Sequence, residues 1–527
     1  MAKRLIVLFI LLIGLVGLLG ACGGKESSTS DSKSGEAKGD KSGGSLTFGL
    51  AAEPTTMDPY IQNGTHGRTV KFAIFRGLYN YNEKGELEPE LAESYTTNDE
   101  LTSYTFKLRD AKFHNGDPVT AEDVKFTYER ILEPESKATF KKELSIISNI
   151  EVKDEKTITF NLSEPSAPFI HYTALPESVI VSKAYTEENG DDVATKPMGA
   201  GPFKFVSWTQ GSNIIVEKFD DYYKEGKPYL DEIKFQFYTD ENTRVNSLRA
   251  GDVTLIENVP WKDTESIGKM ENLKLESANG PFMALQFNTD FEPFNNPKVR
   301  QAIAYGIDRK AILNTAFSGR GEAIYGMAIL DGYMGYDEKF TNYFKHDVKK
   351  AKELLAEAGY PNGFKVKLLS TSQYGMHEQT AVAVQSELKK IGIEVELELP
   401  DWATRINKNV QGDYQFLVAG TSGDITDGDW MSNFYQGGPA RLNNSANFDD
   451  EQINSLLAQG KKEKDPAKRE EIYKQLIERS MELSPFVYLN WREQSYGMQK
   501  NVEGFENLDG FLSFQSGLTL EDTYLND

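Results

Sequence analysis

Cysteine is almost absent: Cys22 is the one thiol in 527 residues. A lone thiol closes no intramolecular disulfide, and one sulfur with five scattered histidines makes a poor metal site. Stability must therefore come from the size of the core. Histidines with metal-ligand spacing are also missing. HEQTA at His377 begins like a zinc-binding helix, but Ala381 stands where the second histidine belongs. No G-x-S-x-G elbow, Walker loop or dinucleotide fingerprint occurs. A triad assembled in space leaves no such trace, so a surface hydrolase stays as the alternative class. Basic residues are in deficit, 58 Lys and Arg against 80 Asp and Glu, for a net charge of −22. That balance argues against nucleic acid, which requires a basic footprint.

The first residues answer why Cys22 is there. Lys3 and Arg4 precede an apolar run, Leu5 to Leu19, broken by Gly14 and Gly17, and small Gly20 and Ala21 lead into Cys22. That is the layout of a secretory signal peptide. The run is short for a permanent span, which needs roughly 20 apolar residues; an uncleaved anchor helix is the alternative. Leu19-Gly20-Ala21-Cys22 resembles the lipobox of bacterial lipoproteins. The resemblance implies cleavage after residue 21, diacylglycerol on Cys22 and a lipid-anchored mature protein. Residues 22–44 hold Gly, Ser, Lys, Asp and Glu with little to bury, and read as a flexible tether.

The mature chain is too long for one compact core and suits two or three domains. Leu46, Phe48 and Leu50 alternate as in a half-buried strand, and Tyr104, Phe106, Leu108 and Ile158, Phe160, Leu162 repeat the pattern. GPFKFVSW, NIIVEKF and EIKFQFYTD form a third strand group. Thr120 with Asp123 is a capping box opening a helix to Leu132, and Asn296 with Pro297 opens another. FKVKLLST, a helix from Met376 to Ile391, IEVELEL, a helix from Trp402 to Val410, and DYQFLVAG make a βαβαβ run. Such a run forces crossovers and a parallel sheet. Ligands gather at the carboxyl ends of parallel strands, and the loop GTSGDITDGDW lies there. Its acids do not suit an EF-hand: twelve residues counted from Asp424 or Asp427 reach Tyr435 or Gly438 where a bidentate Glu is needed. The ordinary reading of the loop is a solvated acidic turn.

AEPTTMDPY, LYNYNEKGELEPELAESY, YTFKLRDAKFHNGDPVTAEDVKFTYERI, GAGPFKFVSWTQG with KFDDYYKEGKPYLDEI, and NPKVRQAIAYGIDRKAI occur in that order. Together they resemble the large extracytoplasmic solute-binding proteins of ABC importers, family 5, which include oligopeptide- and dipeptide-binding proteins. The resemblance runs from Ser45 to NVEGF near the C-terminus. It implies an α/β, two-lobed, type II periplasmic-binding-protein-like fold with an extra domain inserted in the first lobe. Carried over, the first lobe is 45–66, 196–290 and 491–527, the inserted domain 67–195 and the second lobe 291–490. The anchored form resembles that of Gram-positive bacteria, on the extracellular face of the membrane.

Function by resemblance is capture, not turnover: a monomer without cofactor or metal would pass small peptides to ABC permease subunits and their ATPases. In peptide binders of the family an aspartate after the loop glycine meets the ligand's amino group. That role falls on Asp424, with Asp427 as the alternative if the loop is shifted. Gly420, Thr421 and Ser422 would form a strand-like edge for the peptide. Trp402 resembles a cleft tryptophan, though a core aromatic anchoring its helix is an equal reading. Asn63, Gly64 and Thr65 resemble the first-lobe loop on the ligand, but N-G is also an ordinary turn dipeptide. Arg405 is either a partner for a ligand carboxylate or a solvated helix residue. Thr421 and Val418 stand where long-peptide binders can carry Trp and Arg, and other members carry nickel chelates, glutathione, opines, heme or sugars. Fold alone leaves the cargo open.

Overall fold

The computed structural model describes residues 41–61 and 64–526. Cys22, the signal segment and Asn63 lie outside them. The end of the expected tether is tied to the body: Gly43 N–H donates to the Tyr229 carbonyl at 2.8 Å, and Lys41 lies over the Tyr524 ring.

Alternation along the chain becomes an eleven-stranded mixed sheet. Ser45–Leu50 buries Leu46, Phe48 and Leu50 and runs parallel to Glu232–Phe237. The hairpin Phe203–Thr209 and Asn213–Lys218 extends that side antiparallel. Two long strands, Leu273–Phe287 and Phe486–Gln499, pair antiparallel with each other and link the halves of the sheet. Near one end Met498 and Gly497 pair with Leu255–Ile256; at the other Phe282–Phe287 pairs with Phe416–Thr421. Their register shifts between Asn279 and Phe282. Gly280 lies at that shift, where a Cβ would crowd the Arg492 carbonyl oxygen at 3.1 Å.

The βαβαβ expectation holds. Phe364–Leu369 is parallel to both Ile393–Glu398 and Phe416–Thr421, with helices Gly375–Lys389 and Trp402–Gln411 as the crossovers. Asp401 caps the second helix and Gly412, at φ +71°, ends it. A separate four-stranded antiparallel sheet joins Ala92–Thr97, Ser103–Leu108, Thr157–Leu162 and Ile147–Asp154. Helix Ala121–Leu132 opens on the expected Thr120–Asp123 box and lays Tyr128 edge-on against Phe160, ring centres 4.8 Å apart. Among the described residues no helix is long and apolar enough to cross a membrane.

Candidate functional site

Phe416–Thr421 is a strand with one open side. Residues Phe416 to Thr421 all pair with Leu273–Phe287, whereas pairing with Phe364–Leu369 ends at Leu417. From Val418 onward it has a single sheet neighbour among the described residues. Arg405 donates through Nη2 to the Val418 carbonyl at 2.7 Å, which satisfies one group of the bare edge. Gly420 sits close against its neighbours: a Cβ there would lie 3.0 Å from Met283 Sδ and 3.1 Å from His377 Nε2. Thr421 Oγ1 donates to Asn443 Oδ1 at 3.0 Å, and the buried Ser422 Oγ has no hydrogen-bond partner among the described residues.

The loop that follows is not a solvated acidic turn, because two of its three acids are spent on the interior. Asp427, fully buried, accepts both Arg469 Nη1 and Nη2 at 2.6 and 2.8 Å. His171 Nε2 stands 3.4 Å from it. Burial would raise the Asp427 carboxyl, but His171 and Arg469 outweigh it and hold it below the usual value. Asp429 accepts from Ser432 Oγ at 2.6 Å and from the Tyr172 hydroxyl. A solvated turn was the composition-based expectation; the remote Arg469, His171 and Tyr172 overturn it. Arg469 alone engages both Asp427 oxygens.

Asp424 is different. Its nearest cation is Arg68 Nη2 at 3.7 Å, and that guanidinium is already engaged by Glu177 at 2.9 and 3.0 Å. The three groups carry one net negative charge. Burial, with Glu177 and Glu143 nearby, pushes the Asp424 carboxyl up to about 6 against the pull of Arg68. Its side chain keeps 29% exposure and faces a cavity of about 240 Å³ shared with Glu143, Tyr172, Trp430, Asn433 and Lys461. It is a carboxylate short of a cation beside open space.

The remaining expectations divide. Gly64 and Thr65 begin the helix Gly64–Ile74, with Gly64 at φ +79°. Thr65 lines a second cavity of about 750 Å³ with Gln373, Tyr374, Met376, Trp261 and Arg492. Trp402 is half-buried, its ring edge-on to Tyr374 and His377 at 5.1 and 5.4 Å and stacked under Arg405. Arg405 is 2% exposed, so it is neither a solvated helix residue nor open to a ligand. Sequence reasoning missed Arg68, Glu177, His171 and Arg469. None sits in a motif, and only their meeting in space gives them roles.

The family model for bacterial extracellular solute-binding proteins, family 5, matches residues 86–442. The glutathione-binding protein GsiB of Escherichia coli (strain K12) is 30% identical over 485 residues, 89% of this chain and 92% of that protein. The solved structure of AgaA from A. tumefaciens R10, in complex with agropinic acid, is 56% identical with TM-score 0.81, covering 92% of this chain and 99% of that one. That of DppA from Helicobacter pylori, in complex with the peptide STSA, is 28% identical with TM-score 0.78, covering 93% and 99%. These relatives are binding proteins, and their fold is two-lobed. The chain belongs to family 5 of the bacterial extracellular solute-binding proteins, the extracytoplasmic components of ABC importers.

Proposed function

We propose that this chain captures short oligopeptides outside the cell and hands them to an ABC permease, with Asp424 receiving the ligand's amino-terminal ammonium. The observation that carries the reading is the imbalance at Asp424: a carboxylate facing a cavity, whose one close cation among the described residues is already shared with Glu177. A ligand ammonium restores the balance, and a desolvated pair of good geometry is a strong contact. The adjoining edge from Val418 to Thr421 suits extended backbone, since main-chain bonds of an added strand ignore side-chain identity. Gly420, Thr421 and Ser422 supply that edge, with Trp402 and, from the first lobe, Gly64 and Thr65 as the further ligand contacts.

The lobes are taken as 45–66, 196–290 and 491–527 for the first and 291–490 for the second, with 67–195 inserted. Ligand contacts to both favour the closed state by their differential affinity, and no chemical step is needed. Lipid on Cys22 keeps the monomer at the extracellular face of a Gram-positive membrane.

A second reading has its own support: at 56% identity, AgaA was solved with agropinic acid, so a compact amino-acid conjugate is the alternative cargo. Native mass spectrometry of the soluble body, followed by denaturation, separates the two. A ladder of masses that fragment as peptides supports the first reading. A single non-peptide mass overturns it in favour of the second, and accumulating cleavage product would indicate a hydrolase.

A further inference from the structure

Arg68, the nearest cation to Asp424, is held back from it. Buried on the helix Gly64–Ile74, it donates through Nε to one Glu177 oxygen at 2.9 Å and through Nη2 to the other at 3.0 Å. That same Nη2 stands 3.7 Å from Asp424 Oδ1, beyond hydrogen-bond reach. Glu177 is itself buried, so its charge has no solvent to turn to, and the two-pronged pair fixes where Arg68 points. Lys71, one turn along the same helix, is no substitute. Its ammonium donates to the Ile61 carbonyl, and the acids that act on it are Glu177 and Asp58.

The other acids of the loop are engaged elsewhere. Asp427 is held by Arg469 with His171 beside it, and Asp429 by Ser432 and Tyr172. Two lysines line the Asp424 cavity. Lys461 lies 3.9 Å from Asp429, and the acids that act on Lys142 are Glu143 and Asp429. Asp424 therefore faces Arg68 for attraction and Glu177 and Glu143 for repulsion, while burial strips its water. By the proposed boundaries Arg68 and Glu177 belong to the inserted domain and Asp424 to the second lobe. The three meet when the lobes are together, and an empty closed cleft then encloses a carboxylate that is neutralised only in part.

We infer that Glu177 is a positioning residue for cargo-dependent closure: by holding Arg68 off Asp424, it leaves the empty closed state short of one positive charge, which the cargo supplies. The inference rests on the reading that a cargo ammonium meets Asp424. A ligand shifts the lobes only by its differential affinity for the two states, and Glu177 makes that difference electrostatic. Neutral and anionic solutes gain nothing from it, so the same pair selects cargo by charge.

The experiment reads the open-to-closed ratio of the mature chain, stripped of cargo, by single-molecule energy transfer at neutral pH. Cys22→Ser removes the native thiol, and exposed Val206→Cys and Val382→Cys carry the dyes on the two proposed lobes. Wild type should be mostly open. Glu177→Gln frees Arg68 for Asp424 and should shift the empty ratio toward closed by at least about fivefold. Glu177→Asp keeps the buried charge but reaches Arg68 less well. It should shift the ratio part of the way, and it decides the matter should Glu177→Gln not fold. A merely structural role would leave a second readout unmoved. In wild type the carboxyl titration step that Asp424→Asn abolishes should lie near 6, and the Glu177 variants should bring it back toward 3.8. An empty wild type already closed, a ratio that neither Glu177 variant moves, or a wild-type step at 3.8 or below overturns the inference. Tri-alanine is added last. If it leaves wild type open while the Glu177 variants close empty, the positioning role is supported and the peptide reading fails.

Discussion

Asp424 and Asp427 lie three residues apart in one loop, are the same residue type, and have opposite circumstances. Asp427 has both oxygens on Arg469 and is fully buried; Asp424 has a distant share of Arg68 and looks into a cavity. The first carboxyl is held low by its partners, the second is pushed up to about 6. The difference teaches that acidity in a loop says little until its partners are known. A satisfied acid is architecture, and an under-partnered one beside open space is a place for a ligand.

The largest effect expected from breaking this contrast is on stability. Asp427→Asn leaves Arg469 buried without its counter-ion and should cost about 3–5 kcal/mol, read by chemical denaturation. An unchanged midpoint would mean that the Arg469 pair holds nothing together. Asp424→Asn should act on the other axis, weakening cargo by about 2–5 kcal/mol while stability stays level or rises. Calorimetry and denaturation on the same variant check both halves.

A pH titration of stability sharpens the contrast further. For Asp427 the folded value lies below 3.8, so its contribution is complete above about pH 4 and is lost as pH falls. For Asp424 the folded value lies above 3.8, at about 6. The folded chain then holds a proton that the unfolded chain has released, and stability falls as pH rises from about 4 to about 6. Asp424→Asn should flatten that fall, and cargo affinity in wild type should weaken as pH drops below about 6. The smallest effect belongs to Ser422→Ala. Removing an unpartnered buried hydroxyl should change stability by less than about 0.5 kcal/mol, yet weaken cargo by about 1 kcal/mol if Oγ bonds the ligand. Comparing the two losses on one variant tests that role.

Much of the fold was legible because its signals are local. The Thr120–Asp123 box, the Asn296–Pro297 start and the βαβαβ periodicity need only a few neighbouring residues to act, and each formed as read. The site was legible in part. Resemblance pointed to Asp424, but its different circumstances from Asp427 depend on Arg469 from a later helix and Arg68 from a far earlier one. Arg405 misled because helix position predicts exposure only when no strand edge lies in reach, and here the Val418 carbonyl does.

The most direct test of the central claim is the affinity of wild type and Asp424→Asn for one bound tripeptide and its N-acetylated form. Acetylation removes the ammonium and changes little else. If Asp424 receives that ammonium, acetylation weakens wild-type binding by at least about tenfold and leaves Asp424→Asn nearly unmoved, a strong coupling between the two changes. Equal losses in both proteins, or none in either, would contradict the assignment.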